Sequence, residues 1–338
     1  MSHKKGPQAV SAVMKELRGT GAAPRALTNS ERKFLENSAL IQGAMADTKD
    51  AAYLARELVQ ASLPHSNPGD VPLWTRRNGA VTLAIQPGIN IRTGQSYGYP
   101  YGTIPRLLLF WITTEAIRIR SRRLELGHSL NGFMADLGLN PETGGGKRGD
   151  AKRLRDQMER LFRSRFSLEC YEVQDGQAGN GWIDMQVAPK GQMWWSEKHP
   201  DQGALWGSWI ELGEDFYRAI TAAPVPVDMR ALRALKRSPL ALDLYAWLTY
   251  EAFRAQHSRR SRFETWAQLH GHMGGEYANP SDFRRKAKAA LIKIRAVYPG
   301  LKLGKRQGGI EVLVGSQSAI KPRDNPAIEH PNEKPVDN

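Results

Sequence analysis

Residues 279–299 read NPSDFRRKAKAALIKIRAVYP and have the hydrophobic spacing of an amphipathic helix. Apolar side chains recur at intervals of three and four residues and predict one buried face: Phe283, Ala287, Ala290, Leu291 and Ile294. At about 100° per residue, the opposite face carries a set of small and basic residues: Ser281, Arg285, Lys288, Ala289 and Ile292. The flanks of that outer face carry four more cations: Arg284, Lys286, Lys293 and Arg295. Six cations therefore accompany the single carboxylate of Asp282.

A helix that enters the major groove of DNA needs this arrangement. We predict that the five outer-face residues contact base edges and that the four flanking cations contact phosphates. Arg285 could donate two hydrogen bonds to guanine, and Ala289 or Ile292 could touch a thymine methyl group. The alternative is an ordinary solvated helix face, although such faces usually mix both signs of charge.

The segments around this helix complete a familiar pattern. Ser238 can cap a helix that starts at Pro239, and a short helix near 265–270 and a Gly-rich turn at 271–275 come next. Two strands, 301–304 and 310–314, follow the long helix. Helix, short helix, turn, long helix and hairpin is the order of a winged helix. Three cations fall in the predicted wing, where we expect phosphate contacts: Lys302, Lys305 and Arg306.

A similar order of elements is predicted about 132 to 136 residues earlier. It comprises a strand, an apolar helix, a short helix, a long helix and two strands, at 81–85, 104–120, 129–137, 149–163, 166–173 and 182–187. The sequence therefore predicts an α+β fold of two tandem winged-helix domains, with a helical N-terminal extension and flexible tails. A single α+β domain without duplication is the alternative, since no residue-level repeat is visible.

We divide the chain into four segments. Residues 1–75 are predicted to be an N-terminal extension, partly disordered and helical over 30–62, and residues 76–200 the first winged-helix domain. Residues 201–320 form the second domain, the main DNA reader, and residues 321–338 a disordered tail.

The first long helix is basic too, but its outer face includes Asp156 and Glu159. Carboxylates there would meet phosphates unfavourably. The first domain is therefore expected to contact the DNA backbone or to mediate dimerisation. Its candidate backbone contacts are Lys147, Arg148, Lys152, Arg153 and Arg155.

The bulk properties agree with a nucleic-acid partner. The chain has 338 residues, of which 41% are hydrophobic, as in a globular protein. Its net charge of +14 is strongly basic and favours a polyanionic partner. Cys170 is the only cysteine, so the sequence predicts no intrachain disulfide and no zinc site built on paired cysteines. No apolar run is long enough to span a bilayer, and we expect a soluble protein of the bacterial cytoplasm.

Two motifs resemble enzyme sites. Gly144, Gly146 and Gly149 match a nucleotide-binding pattern, but a predicted helix precedes them where a strand is needed. His270 and His272 could hold a metal for strand nicking, although the glycines around them predict a turn with solvent-facing histidines. We therefore expect no catalytic residue, no metal and no cofactor.

Four stretches of the chain resemble the plasmid-encoded RepA replication initiators: YGYPYGTIPRLLLFWITTEAIR (97–118), SLNGFMADLGLNPETGGGKRGDAKRLRDQMERLF (129–162), VPVDMRALRALKRSPLALDLYAWLTY (225–250) and DFRRKAKAAL (282–291). The resemblance covers residues 97–320. It implies binding to repeated origin sites called iterons, help in opening an adjacent A·T-rich region, and recruitment of host proteins such as the replicative helicase and initiator. It also implies homodimers that repress their own promoter.

Three functional hypotheses follow. The first is a non-enzymatic plasmid replication initiator. The second is a plasmid transcriptional repressor that binds a palindromic operator, which the size and symmetry of the binding site would distinguish. The third is an origin-nicking endonuclease that uses His270, His272 and a tyrosine; a metal-dependent nick in supercoiled origin DNA would establish it.

Overall fold

The computed structural model describes residues 26–127, 130–139, 150–174, 177–194, 207–274 and 276–320, which form an α+β fold as the sequence predicts. The helices in these ranges are α1 (Asn29–Gly43), α2 (Arg56–Gln60), α3 (Thr103–Ile119), α4 (Leu130–Asp136), α5 (Asp150–Phe162), α6 (Glu214–Ala222), α7 (Met229–Leu235), α8 (Pro239–Ser258), α9 (Trp266–Met273) and α10 (Pro280–Val297). The strands are β1 (Ala51–Ala55), β2 (Trp74–Asn78), β3 (Val81–Gln86), β4 (Arg123–Glu125), β5 (Arg165–Gln174), β6 (Gln177–Gln186), β7 (Lys190–Gln192), β8 (Trp209–Glu211), β9 (Pro224–Asp228), β10 (Arg262–Thr265) and β11 (Gly309–Val312).

The order of elements occurs twice along the chain. In the second half, α8, β10, α9 and α10 are followed by a hairpin in which β11 pairs with β10 and Leu303 bridges to Val312. In the first half, α3, β4, α4 and α5 are followed by the β5–β6 hairpin. Both halves therefore have the element order of a winged helix.

Two arginines mark the same turn in each half. Arg120 ends α3 and Arg259 ends α8, and both have φ of 52°, the only positive values among the described residues other than glycine. This left-handed conformation costs about 1 kcal/mol or more for a residue with a Cβ atom. Its presence before the short strand β4 and before the short strand β10 supports a structural repeat that residue identities do not reveal.

The two halves share a sheet that the sequence did not predict. β1 pairs antiparallel with β9, so that Ala51 lies opposite Asp228 and Ala55 opposite Pro224. Each strand leads directly into a helix, β1 into α2 and β9 into α7. The prediction of continuous helix over residues 30–62 is therefore wrong: α1 ends at Gly43, a 3-10 turn covers Thr48–Asp50, and strand β1 follows before the helix α2 begins at Arg56. Tertiary pairing with β9 outweighs the helical preference of Ala51–Ala55.

Two sheets complete the first half. One sheet has the strand order β2-β3-β5-β6, with the long β5–β6 hairpin at its edge. The other sheet has the strand order β4-β8-β7. The predicted strand at 81–85 is confirmed as β3, while β2, β4, β7 and β8 were not predicted. Short strands of three to five residues carry too little alternation to be recognised before their partners are known.

A buried ion pair connects α3 of the first half to α8 of the second. The Arg106 side chain is only 4% exposed, and its Nε and Nη2 donate to the Asp243 carboxylate over 2.7 Å and 2.8 Å. Its remaining hydrogen bonds go to the carbonyl oxygens of Leu63, Pro64 and Gly102. The His65 ring donates to Oδ2 of the same carboxylate over 2.8 Å, the oxygen that also accepts from Arg106 Nη2. The guanidinium therefore fixes the chain between α2 and β2 against both halves.

Candidate nucleic-acid interface

Helix α10 is positioned by its cap and its buried face. The Asn279 side chain accepts a hydrogen bond from the backbone N of Ser281 over 2.8 Å, and Pro280 supplies the fixed φ of the first turn. Phe283, Ala287, Ala290 and Ile294 are buried, and α10 packs against α8, α9 and α1. The predicted core face is confirmed, which orients the opposite face outward.

The outer face of α10 lies where the sequence placed it. Ser281, Arg285, Lys288 and Ala289 are exposed, and Ile292 is half-buried. Arg285 donates to Asp282 over 2.5 Å although its side chain is 72% exposed, and Lys286 lies 3.3 Å from the same carboxylate. Hydrogen bonds from Arg285 and Lys286 lower the pKa of Asp282. Exposed pairs of this kind stabilise weakly, so Arg285 can exchange Asp282 for another acceptor.

Aromatic side chains support the flanking cations at the start of α10. The Arg284 guanidinium lies 5.8 Å from the centre of the Trp266 ring, and the Lys286 ammonium 4.9 Å from that of Tyr277. These contacts orient long side chains without neutralising them. The contacts of Trp266 and Tyr277 with these cations were not predicted from the sequence. Only the proximity of the two aromatic residues to a basic helix could have indicated them.

The other two flanking cations have a different neighbour. Arg295 is exposed, and its main-chain oxygen, like that of Ala296, accepts from the Gln42 side chain of α1. Lys293 lines a cleft that α1 also lines. The predicted phosphate contacts on this flank therefore lie beside α1, a helix of the predicted N-terminal extension.

The second hairpin carries the predicted wing cations on its surface. Lys302, Lys305 and Arg306 are all exposed, and the Arg306 guanidinium lies 3.8 Å from the centre of the Phe263 ring on β10. The hairpin closes where Gly304 donates to the main-chain oxygen of Glu311 over 2.8 Å. The wing thus presents its positive charge on the half of the molecule that carries α10.

The outer face of α5 carries charges of both signs, unlike the outer face of α10. Lys152 and Arg153 are exposed and Arg155 is half-buried, while Lys147 and Arg148 lie outside the described residues. Arg153 pairs with Asp150 over 3.2 Å. Asp156 is also exposed, and burial, followed by the nearby Asp156, raises the pKa of Glu159. The mixed signs agree with the expected asymmetry, and both contact sets remain predictions.

The end of α5 is engaged within the protein. Arg160 donates to the main-chain oxygen of Tyr99 over 3.2 Å, and the Gln157 side chain accepts from the backbone N of Tyr101. The Arg160 guanidinium also packs against Gly98, whose φ of 79° favours glycine. These contacts explain the glycine at position 98, since the backbone of the YGYPYG segment follows α5 closely there.

The paired histidines lie in a helix and not in a solvent-facing turn. His270 and His272 belong to the last turns of α9, where His272 is only 2% exposed. Asn78 lies 3.3 Å from the Nδ1 atom of His272, and His270 Nε2 lies 2.9 Å from the main-chain oxygen of Tyr277. Burial lowers the pKa of His272 to about 4. The expectation of solvent-facing histidines is wrong because apolar side chains of α9 face the core and place His272 there as well.

Among the described residues, no three His, Cys, Asp or Glu side chains are grouped as metal ligands. Across the same ranges, no helix combines the length and apolarity needed to cross a membrane.

The fold and the basic outer face of α10 define the class of protein. It is an α+β protein in which both halves have the element order of a winged helix. The model of the family described as "Plasmid encoded RepA protein" matches residues 99–268, half of the chain. The chain therefore belongs to the RepA family of plasmid replication initiators, as the sequence resemblance implies.

Other comparisons are more distant. The crystal structure of selenomethionine derivatives of domains 2 and 3 of RctB has 11% identity and a TM-score of 0.42, covering 77% of this chain and 99% of that one. A second crystal structure of RctB domains 2–3 has 11% identity and a TM-score of 0.41, covering 75% of this chain and 94% of that one. No curated protein sequence matches the chain significantly.

Proposed function

We propose that this chain initiates plasmid replication by binding repeated origin sites as double-stranded DNA, with α10 in the major groove and the second wing on the adjacent backbone. The supporting observation is the outer face of α10, where exposed cations outnumber the single carboxylate of Asp282. A groove-binding helix requires a rigid mount, and the buried face of α10 supplies one.

The first winged helix has a supporting role in this proposal. Its long helix carries exposed carboxylate and exposed cations together, which suits backbone contact or contact with a second copy of the chain better than base readout. We propose no catalytic step for either half. Opening of the origin and recruitment of the host helicase and initiator belong to the same proposal, and their support is family membership alone.

Footprinting on the origin region of its own plasmid tests the proposal. The expected pattern is protection of several direct repeats, with strong dependence of affinity on salt. A single protected palindrome would favour a transcriptional repressor, and a metal-dependent nick would favour an endonuclease. Uniform weak protection with no preferred site would contradict sequence-specific binding.

A matched pair of variants tests the role of α10. Arg285 and Arg218 are both about 70% exposed and both pair with a carboxylate on their own helix. Arg285→Ala is expected to weaken binding to the protected repeat more than binding to random duplex, whereas Arg218→Ala on α6 should change neither. An equal loss on both duplexes would remove Arg285 from the base-reading set.

A further inference from the structure

Five cations surround one cleft formed by α1, α7, the α7–α8 turn and α10. The cleft has a volume of about 410 Å³, and its cations are Lys33, Arg233, Lys236, Arg237 and Lys293. Glu31 is the one carboxylate among the described residues that line it. The Glu31 carboxylate accepts hydrogen bonds from the backbone N and the hydroxyl of Thr28, over 2.9 Å and 2.8 Å, and so caps α1. The lining of the cleft is therefore strongly positive.

The cleft lies between α10 and the residues that follow α4. The Lys236 ammonium donates to the main-chain oxygen of Gly138, and Arg233 Nη2 donates to that of Asp136 over 3.1 Å. Asp136 is the last residue of α4 and Gly138 lies two residues after it, and α4 is the helix that precedes α5 along the chain. On the other side, Lys293 belongs to α10. A strand of phosphates that passed from α10 towards α5 would cross this cleft.

The cations repel one another in the protein alone. Within the described ranges, none of the five forms a salt bridge with a carboxylate. Burial is the largest cause of the lowered pKa of Lys236, the charges of Lys33, Arg237 and Arg233 lower it further, and the carboxylate of Asp150 opposes them. Like charges held around a cleft are unfavourable, and a polyanion would relieve the repulsion.

We propose that this cleft binds the sugar–phosphate backbone of the duplex between the segments that face α5 and α10. The proposal rests on the proposed DNA-binding function and adds to it a third contact element, which includes the N-terminal helix α1. The cations are contributed by α1, by α7 and the turn after it, and by α10, so the positive charge is spread along the cleft and not gathered at one point. That spread suits a continuous strand better than one small phosphate. Phosphate contacts of this kind position the protein without reading sequence.

The test compares two double variants of the full chain on a random-sequence 40-bp duplex. Lys33→Ala/Arg237→Ala removes two exposed cations of the cleft, and Arg56→Ala/Arg218→Ala removes two exposed cations elsewhere, so both variants lose the same net charge. Fluorescence anisotropy at several salt concentrations gives the slope of log affinity against log salt. Each lost phosphate contact reduces that slope by about 0.9. We expect a reduction approaching 2 for the cleft variant and none for the control.

The outcomes separate the two proposals. Equal slopes for both variants and the unmodified chain would overturn the cleft proposal while DNA binding stands. Failure of the unmodified chain to bind duplex at all would instead overturn the proposed function. Stoichiometric binding of ATP that the cleft variant loses, with an unchanged duplex slope, would assign the cleft to a small phosphate anion and also overturn the proposal.

A measurement on the unmodified chain covers the case of a variant that does not fold. The 40-bp duplex should protect Lys33 and Lys293 from acetylation, read by mass spectrometry, and leave the exposed Lys49 and Lys190 reactive. Protection of Lys293 without Lys33 would place DNA on α10 alone and refute the cleft.

Discussion

Replacing Asp243 with asparagine should destabilise the protein far more than loss of a surface charge. The substitution keeps the shape of the side chain but removes the charge that faces the Arg106 guanidinium, which is 4% exposed. Arg106 makes two hydrogen bonds to Asp243, and hydrogen bonds to charged groups are worth about 1.5–3 kcal/mol each. We expect the free energy of unfolding to fall by about 3–5 kcal/mol, the usual cost of leaving one buried charge unpaired.

Urea unfolding at pH 7, followed by tryptophan fluorescence, measures this loss. Glu214→Gln is the control, because Glu214 pairs with Arg218 on the surface of α6 and should cost less than about 0.5 kcal/mol. The single variant Arg106→Met and the double variant Arg106→Met/Asp243→Asn close the cycle. Since neither single charge is left behind, the double variant should cost at least about 2 kcal/mol less than the sum of the two single variants.

A loss below about 1 kcal/mol for Asp243→Asn would refute this reasoning. Additive losses in the cycle would refute it as well, since they would mean that Arg106 and Asp243 do not stabilise each other. A confirmed coupling would identify the ion pair as a connection between α3 and α8, and thus between the two halves that the proposed function uses together.

Three further predictions concern DNA binding and pH. Arg285→Ala should cost about 1–3 kcal/mol of affinity on a protected repeat, by anisotropy, and relax preference at one base pair; unchanged discrimination would contradict the assignment. Asp282→Asn should strengthen duplex binding several-fold, because it removes the carboxylate that Arg285 and Lys286 contact; weaker binding of this variant would show that the pair positions Arg285 instead. Burial lowers the pKa of His272 to about 4, so the folded state favours the neutral ring. This contribution to the free energy of unfolding is complete above pH 6.5. It is lost as the pH falls towards 4, which lowers that free energy by up to about 3 kcal/mol. Urea midpoints between pH 7 and 4.5 should fall less for His272→Gln than for the unmodified chain, and parallel curves would count against this cause.

The two long helices illustrate how one element order serves different roles. Both α5 and α10 begin with an acidic residue in the first turn, and both bury an apolar face. Beyond that turn, every exposed charged side chain of α10 is a cation, whereas α5 exposes Asp156 and engages Arg160 with the backbone of the YGYPYG segment. The asymmetry favours α10 as the main reader, and exchanging the outer faces of the two helices would test it directly.

Local sequence determined the long helices and the first hairpin, whereas the strand predicted at 301–304 is only a single bridge from Leu303 to Val312. Residues 280–297 carry their own cap, an uninterrupted apolar stripe and a one-sided charge, so the helix and its outward face follow from spacing alone. The same holds for the apolar α3 and for the β5–β6 hairpin, whose partners are neighbours in the chain. Interactions over a few residues are present in the sequence pattern itself, which is why these elements and the family resemblance could be predicted.

Only the tertiary structure decided which distant segments meet. Ala51–Ala55 becomes a strand because β9, more than 160 residues later, supplies its hydrogen bonds. His272 is buried because α9 packs on the core, and Lys33 reaches the cations of the α7–α8 turn because α1 lies against α7 and α10. Local propensity is worth only tenths of a kcal/mol per residue, so pairing and burial between remote segments override it, and no pattern within a short window records them.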